Sequence, residues 1–102
     1  MAKLRRLYLD RDKAKGYLSI ANKAGYLIIG GDKLSQHKQK LYLVLVDESA
    51  GKSSLKIAAR FEGVTPVLEV AQLGELSGIA TCKILGVKNK NLSDLIQENL
   101  TK

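Results

Sequence analysis

Six consecutive apolar residues, Leu41-Tyr-Leu-Val-Leu-Val46, constrain the fold of this chain more than any other stretch. Successive side chains of a strand point to opposite faces, so a strand with one wet face alternates apolar and polar residues. A strand that is apolar at every position has to be covered on both sides. Leu41–Val46 is therefore expected to be a central strand with helices above and below it.

The flanking segments supply those helices. From about Asp10 to Ala24, residues Tyr17, Ile20, Ala21 and Ala24 recur at helical spacing. Asp10 and Asp12 lie at the favourable end of the dipole, and Gly25 sits at a natural stop. Tyr26–Ile29 reads as a short strand closed by Gly30-Gly31, and Asp32–Lys40 as a short polar helix whose one large apolar residue is Leu34. Ser49–Gly63 reads as a second long helix burying Leu55, Ala58, Ala59 and Phe61 or Ile57. Thr65-Pro66 leads into a strand at Val67–Val70. A short helix at Gln72–Gly78 turns Leu73 and Leu76 inward, and Cys82–Val87 forms a strand. Asn91–Leu100 is a last helix with Leu92, Leu95, Ile96 and Leu100 on one side.

Strands alternating with helices imply an α/β protein, a three-layer α/β/α sandwich around a four-stranded mixed sheet. No repeat, linker or low-complexity segment interrupts the chain. Residues 1–102 are expected to form one domain, with 1–9 a flexible basic N-terminal strip.

Charge is one-sided along this sequence. Residues 1–40 carry ten Lys/Arg against Asp10, Asp12 and Asp32, which is the whole of the net +7; residues 41–102 carry seven charges of each sign. Such a field attracts a polyanion, because each cation that neutralises a phosphate releases condensed counterions. Arg11, Lys15 and Lys23 on the polar face of the first helix are expected in that footprint.

Other chemistry is excluded step by step. No apolar run approaches the roughly 20 residues of a membrane span, and Leu7-Tyr-Leu is cut off by Asp10-Arg-Asp before it can serve as a signal peptide. Only Tyr17 and Leu18 border the basic helix face, too few for a membrane-surface adaptor. Cys82 and His37 are each single, so neither a disulfide framework nor a Cys/His metal site can be assembled. Gly51-Lys52-Ser53 follows a strand and opens a helix like a nucleotide-binding loop, but that loop needs Gly at position 46, which is Val. The expected structure there is a plain βα loop with Ser49 near the helix start. His37 is read as a solvated residue of a polar helix, with an RNA contact as its functional alternative, and Cys82 as a packed thiol. The adjacent Asp47 and Glu48 should diverge rather than form a catalytic pair. No catalytic residue, metal or cofactor is implied, and the chain reads as a cytoplasmic protein.

One constellation remains, between Gly25 and Lys38. A strand running into Gly30-Gly31 and then a helix presents free backbone N–H groups at the positive end of the helix dipole. Glycine permits close approach of another backbone, and Lys33 and Lys38 add charge.

The chain also resembles a known superfamily. Leu18-Ser-Ile-Ala-Asn-Lys-Ala-Gly25, the Gly30-Gly-Asp32 turn and the strand Leu41–Val46 with Asp47-Glu-Ser49 all take part. So do Gly63-Val-Thr-Pro66, Leu73-Gly74 with Gly78, and the terminal strand–helix unit. In order and spacing these are similar to the small RNA-binding proteins that include the ribosomal proteins L-seven-Ae and L-thirty-e, and especially to their bacterial YlxQ-type members.

The resemblance implies a monomeric, non-catalytic protein that binds kink-turn-like structured ribosomal or non-coding RNA. It allows ribosomal or ribonucleoprotein partners and implies no membrane. In it, Gly30, Gly31, Asp32 and Lys33 enter the RNA groove, with Lys23, Gln36 and His37 beside them, and Gly78, Ile79 and Ala80 pack apolar atoms against an extruded base. The family motif G-x-N-E with Lys three residues on is here Asp32, Lys33 and Gln36. Asp accepts only, where Asn also donates, and Lys cannot accept from a guanine amino group. The expectation is phosphate attraction with weak discrimination of kinked RNA. The alternative is a protein-assembly module on the same fold.

Overall fold

A computed structural model of the chain describes residues 11–101. The expected N-terminal basic strip and Asp10 at the expected helix start lie outside the described residues. The elements are α1 (Arg11–Lys23), β1 (Leu27–Ile29), α2 (Gly31–Gln36), β2 (Leu43–Asp47) and α3 (Lys52–Ala59), followed by β3 (Val67–Val70), α4 (Leu73–Ser77), β4 (Ile84–Val87) and α5 (Lys90–Thr101). The sheet is mixed and four-stranded, in the order β1-β4-β2-β3. β4 runs antiparallel to both β1 and β2, whereas β2 and β3 are parallel.

Residues of β2 are buried at every position, as a central strand requires. Leu43 and Leu45 face one layer, with Ala14 and Leu18 of α1, Leu73 and Leu76 of α4, and Ile96 of α5. Val44 and Val46 face the other, with Leu34 of α2 and Ala58 of α3. The three-layer α/β/α sandwich is thus the architecture, with α1, α4 and α5 on one side and α2 and α3 on the other. No helix among the described residues is long and apolar enough to cross a membrane.

Several faces differ from expectation. α1 buries Ala14, Leu18 and Ala21, with Tyr17 half-buried, while Ile20 is 55% exposed and Ala24 is exposed. Both sets fit a helical period, but the alanines let α1 lie close to its neighbours, and the helix ends before Ala24 can complete the other stripe. It ends where Gly25 adopts φ +78° and the Tyr26 N–H bonds Ala21 O at 2.8 Å. α3 is shorter than Ser49–Gly63, because residues 60–64 close successive turns instead of continuing it. It therefore turns Ala58 inward with Ile57 and Phe61 half-buried, leaving Leu55 and Ala59 exposed. On α5, Leu95 is exposed and Ser93 takes an inward place beside Ile96. α2 stops at Gln36, short of Lys40.

Gly86 of β4 shows how tightly the α2 layer is seated. A Cβ there would lie 2.8 Å from Leu34 Cδ2 and 2.8 Å from Leu41 Cδ1, and both leucines are buried. Gly86→Ala is expected to destabilise the fold by about 1–3 kcal/mol through overpacking. Gly16→Ala, in the interior of α1 with open space around it, should stabilise it by about 0.5–1 kcal/mol. Denaturant unfolding of the two variants gives both signs; stabilisation by Gly86→Ala would contradict this packing.

Candidate nucleic-acid interface

Strand directions decide which loops meet. β1, β2 and β3 run the same way and β4 runs against them, so the loops after the first three strands and the loop before β4 share one end of the sheet. The Gly30 N–H bonds Ile84 O at 3.0 Å, joining the turn after β1 to the start of β4. Asp47 N bonds Lys83 O at 2.8 Å, and Glu48 N bonds Val70 O at 2.9 Å. Four segments distant in sequence thereby form one rim.

Gly30 has φ +95° and ψ 148°, a conformation closed to residues with a Cβ, and no side chain caps the helix that follows. Gly31 also has a neighbour within the chain. A Cβ on Gly31 would lie 2.7 Å from Ile57 Cδ1, so its missing side chain lets α2 pack on α3 within the chain itself. Asp32 and Lys33 are exposed. With Ser53 and Ser54 of α3 they line a shallow cavity of about 380 Å³ between the first turns of the two helices.

The loop from Gly78 to Lys83 forms the second wall of the rim. Gly78 closes α4, and Ile79 N bonds Ser77 Oγ at 3.2 Å. Ile79 is half-buried against the core, so Ala80 is the more exposed of the pair expected to meet a base. The loop rests directly on α4, because a Cβ on Gly74 would lie 2.5 Å from Ala80 O. Cys82 is buried, its Sγ 3.5 Å from Ile84 O, and burial pushes its thiol pKa up. It is a packed thiol.

Asp47 organises this end. Its carboxylate accepts from the Ser49 N–H at 2.8 Å, from the Ser49 hydroxyl, and from the Leu73 N–H at 2.7 Å. Lys83 Nζ stands 3.6 Å from the same carboxylate and donates to Ser49 Oγ at 3.0 Å. Asp47 is 4% exposed, whereas Glu48 points to solvent, so the two acids diverge. The Ser49 hydroxyl, followed by the Leu73 and then the Ser49 backbone donors, holds the Asp47 pKa well below the carboxylate range. Ser49 is not a cap of α3, whose N-cap is Gly51 without a side-chain bond. Its hydroxyl bridges an ammonium and a carboxylate, which is a structural role.

The remaining expected site residues divide: Gln36 stands one helical turn from Asp32 on the same face of α2, whereas Lys23 and His37 stand away from the rim. Lys23 ends α1 at the opposite end of β1 from Gly30, about 10 Å of strand away. Gln36 is the last residue of α2 and is exposed. His37 is not on a solvated helix: it follows the helix in extended conformation, half-buried, with Nε2 buried and unbonded. It lines a cavity with Leu41 and Phe61, where the chain turns back toward β2. Sequence reasoning passed over Asp47, Gly74 and Lys83 as positioning residues. The available signal was a lone acid closing an otherwise apolar strand.

Asp47→Asn replaces an acceptor oxygen by an NH₂ group that faces the Ser49 donors, and should lower the melting temperature at neutral pH. The sign with pH follows from the depressed pKa. The unfolded chain takes up a proton near the ordinary value of 3.8, while the folded chain does not. Stabilisation is therefore complete above that value and drains away below it. Thermal melts should show the gap between wild type and variant shrinking from about pH 4 downward. A gap constant down to about pH 2 would show that the carboxylate charge is not what holds the rim.

No family model matches the chain, and no curated protein matches it. Among solved structures it is similar to a protein with unknown function from Bacillus halodurans C, at 26% identity and a TM-score of 0.68, over 84% of this chain and 98% of that one.

Proposed function

We propose that this chain is a non-catalytic cytoplasmic RNA-binding protein of the L-seven-Ae/L-thirty-e type, acting on structured, kink-turn-like ribosomal or non-coding RNA. The observation that carries the reading is the bond between Gly30 and Ile84. It unites the two loops that the resemblance assigns to RNA, although Gly30 and Ala80 are far apart in sequence. A glycine turn that opens a helix without a side-chain cap, with Lys33 beside it, suits a phosphate and a nearby base edge. Ala80 on the neighbouring loop offers a small apolar surface to a displaced base.

No enzymatic arrangement competes among the described residues. Ser49 is held between Asp47 and Lys83, Cys82 is buried with a raised pKa, and His37 has no acid or nucleophile bonded to it.

Affinity and selectivity should separate in this protein. Asp32 and Lys33 lack the donor–acceptor pattern that reads a sheared G·A step, so wild type should prefer a kink-turn RNA over its G·A-less counterpart by less than about tenfold. A good bidentate base contact is worth about 1–3 kcal/mol. The double change Asp32→Asn with Lys33→Glu should therefore sharpen that preference about tenfold or more while lowering non-specific affinity. Gel-shift or calorimetric titration of both proteins against both RNAs measures this. An absence of RNA binding by wild type at low salt would overturn the reading; binding of a protein partner through the same rim would favour the assembly module.

A further inference from the structure

Folding redistributes the charge that looked one-sided in the sequence. α1, which carries Arg11, Lys13, Lys15 and Lys23, shares its layer with Asp12, Glu75, Asp94 and Glu98 and only Lys90 besides. The opposite layer gathers Lys33, Lys38 and Lys40 from the basic half with Lys52, Lys56 and Arg60 from the neutral half. Against those six cations, segments 30–40 and 52–65 hold only Asp32 and Glu62. Among the described residues the charge is asymmetric between layers as well as along the chain.

These six cations also have an ordered arrangement. Lys52, Lys56 and Arg60 follow one another at intervals of four, so they form one row on α3. Lys33 lies on α2, and Lys38 and Lys40 on the segment that leads from α2 to β2. All six are exposed, and among the described residues none is in an ion pair. Beside that row runs the α2–α3 seam, with a cavity at each end. The upper one is the Gly30–Ser54 cavity already described. The lower one, about 470 Å³, lies between His37–Leu41 and Phe61–Thr65. Lys40 is steadied there by the Tyr42 ring, 5.3 Å from its centroid.

Resting on the RNA-binding reading, we infer that the α2–α3 seam is part of the footprint and carries one nucleic-acid strand between the α3 row and the cations of the α2–β2 segment. Lys52 to Arg60 spans about 12 Å of helix, enough for three to four phosphates at about 3.4 Å per nucleotide. A groove with charge on both banks and an aromatic wall at Phe61 fits a strand, which offers phosphates and flat bases together. A flat lipid surface would instead need an apolar ridge between the charges.

The test is the salt dependence of binding of the full chain to a kink-turn RNA. Each phosphate neutralised contributes about 0.7–0.9 to the slope of log affinity against log salt. The triple change Lys52→Gln, Lys56→Gln and Arg60→Gln should lower that slope by about 2 and weaken binding. The triple change Lys13→Gln, Lys88→Gln and Lys90→Gln removes the same charge from outside the layer and should keep the wild-type slope. Equal slopes for the α3 variant and wild type, with RNA still bound, would overturn this inference and leave the RNA reading standing. Wild type binding no RNA at any salt, or binding phosphatidylserine vesicles instead, would overturn both.

Discussion

The rim rests on one carboxylate. Asp47 ends the most buried strand of the sheet and accepts hydrogen bonds from Ser49 and from Leu73, the first residue of α4. A buried acid is costly unless every lone pair is used, and here the donors come from two separate loops. The same contact therefore fixes the exit from β2 and the start of α4. α4 in turn carries the loop that packs on Gly74 and delivers Ala80 and Lys83 to the rim. Without that anchor the turn at Gly30 would still form, since it is tied to Ile84, but its partner loop would lose its seat.

Much of the fold was legible because the two periods of the sequence are distinct. The unbroken run at Leu41–Val46 demanded cover on both sides, and the sandwich follows from that. Helix faces were less legible. In α1 the sets around Leu18 and around Ile20 share one spacing, and only the packing of Ala14 and Ala21 against the rest of the layer separates them. The site was legible in its glycines but not in their reasons. Gly30 needs its φ of +95°, whereas Gly31 and Gly74 are small because Ile57 and the Ala80 backbone occupy the space. Those neighbours are more than twenty residues and six residues away, and no local pattern announces them. Asp47 was hidden for a similar reason: its partner Leu73 lies on another loop.

Charge illustrates the same limit. Counting along the chain places the excess in residues 1–40, yet the fold sets α1 among carboxylates and moves three cations of α3 beside α2. A long-range field depends on where charges stand in space, and only topology converts one into the other. Under the proposed function, the rim supplies position and close approach, while the α2–α3 layer supplies attraction. On that proposal, Asp32 and Lys33 stand where the resemblance expects base-reading residues, on a surface that stays strongly basic.

The most direct measurement is residue-resolved: amide NMR shifts of the labelled protein titrated with a kink-turn RNA. The account places the largest changes at Gly30–Lys33, at Ser53 and Ser54, and at Ala80, continuing down the α2–α3 seam toward Lys40, with α1 and α5 unmoved. Changes confined to α1 and α5, with the rim silent, would contradict it.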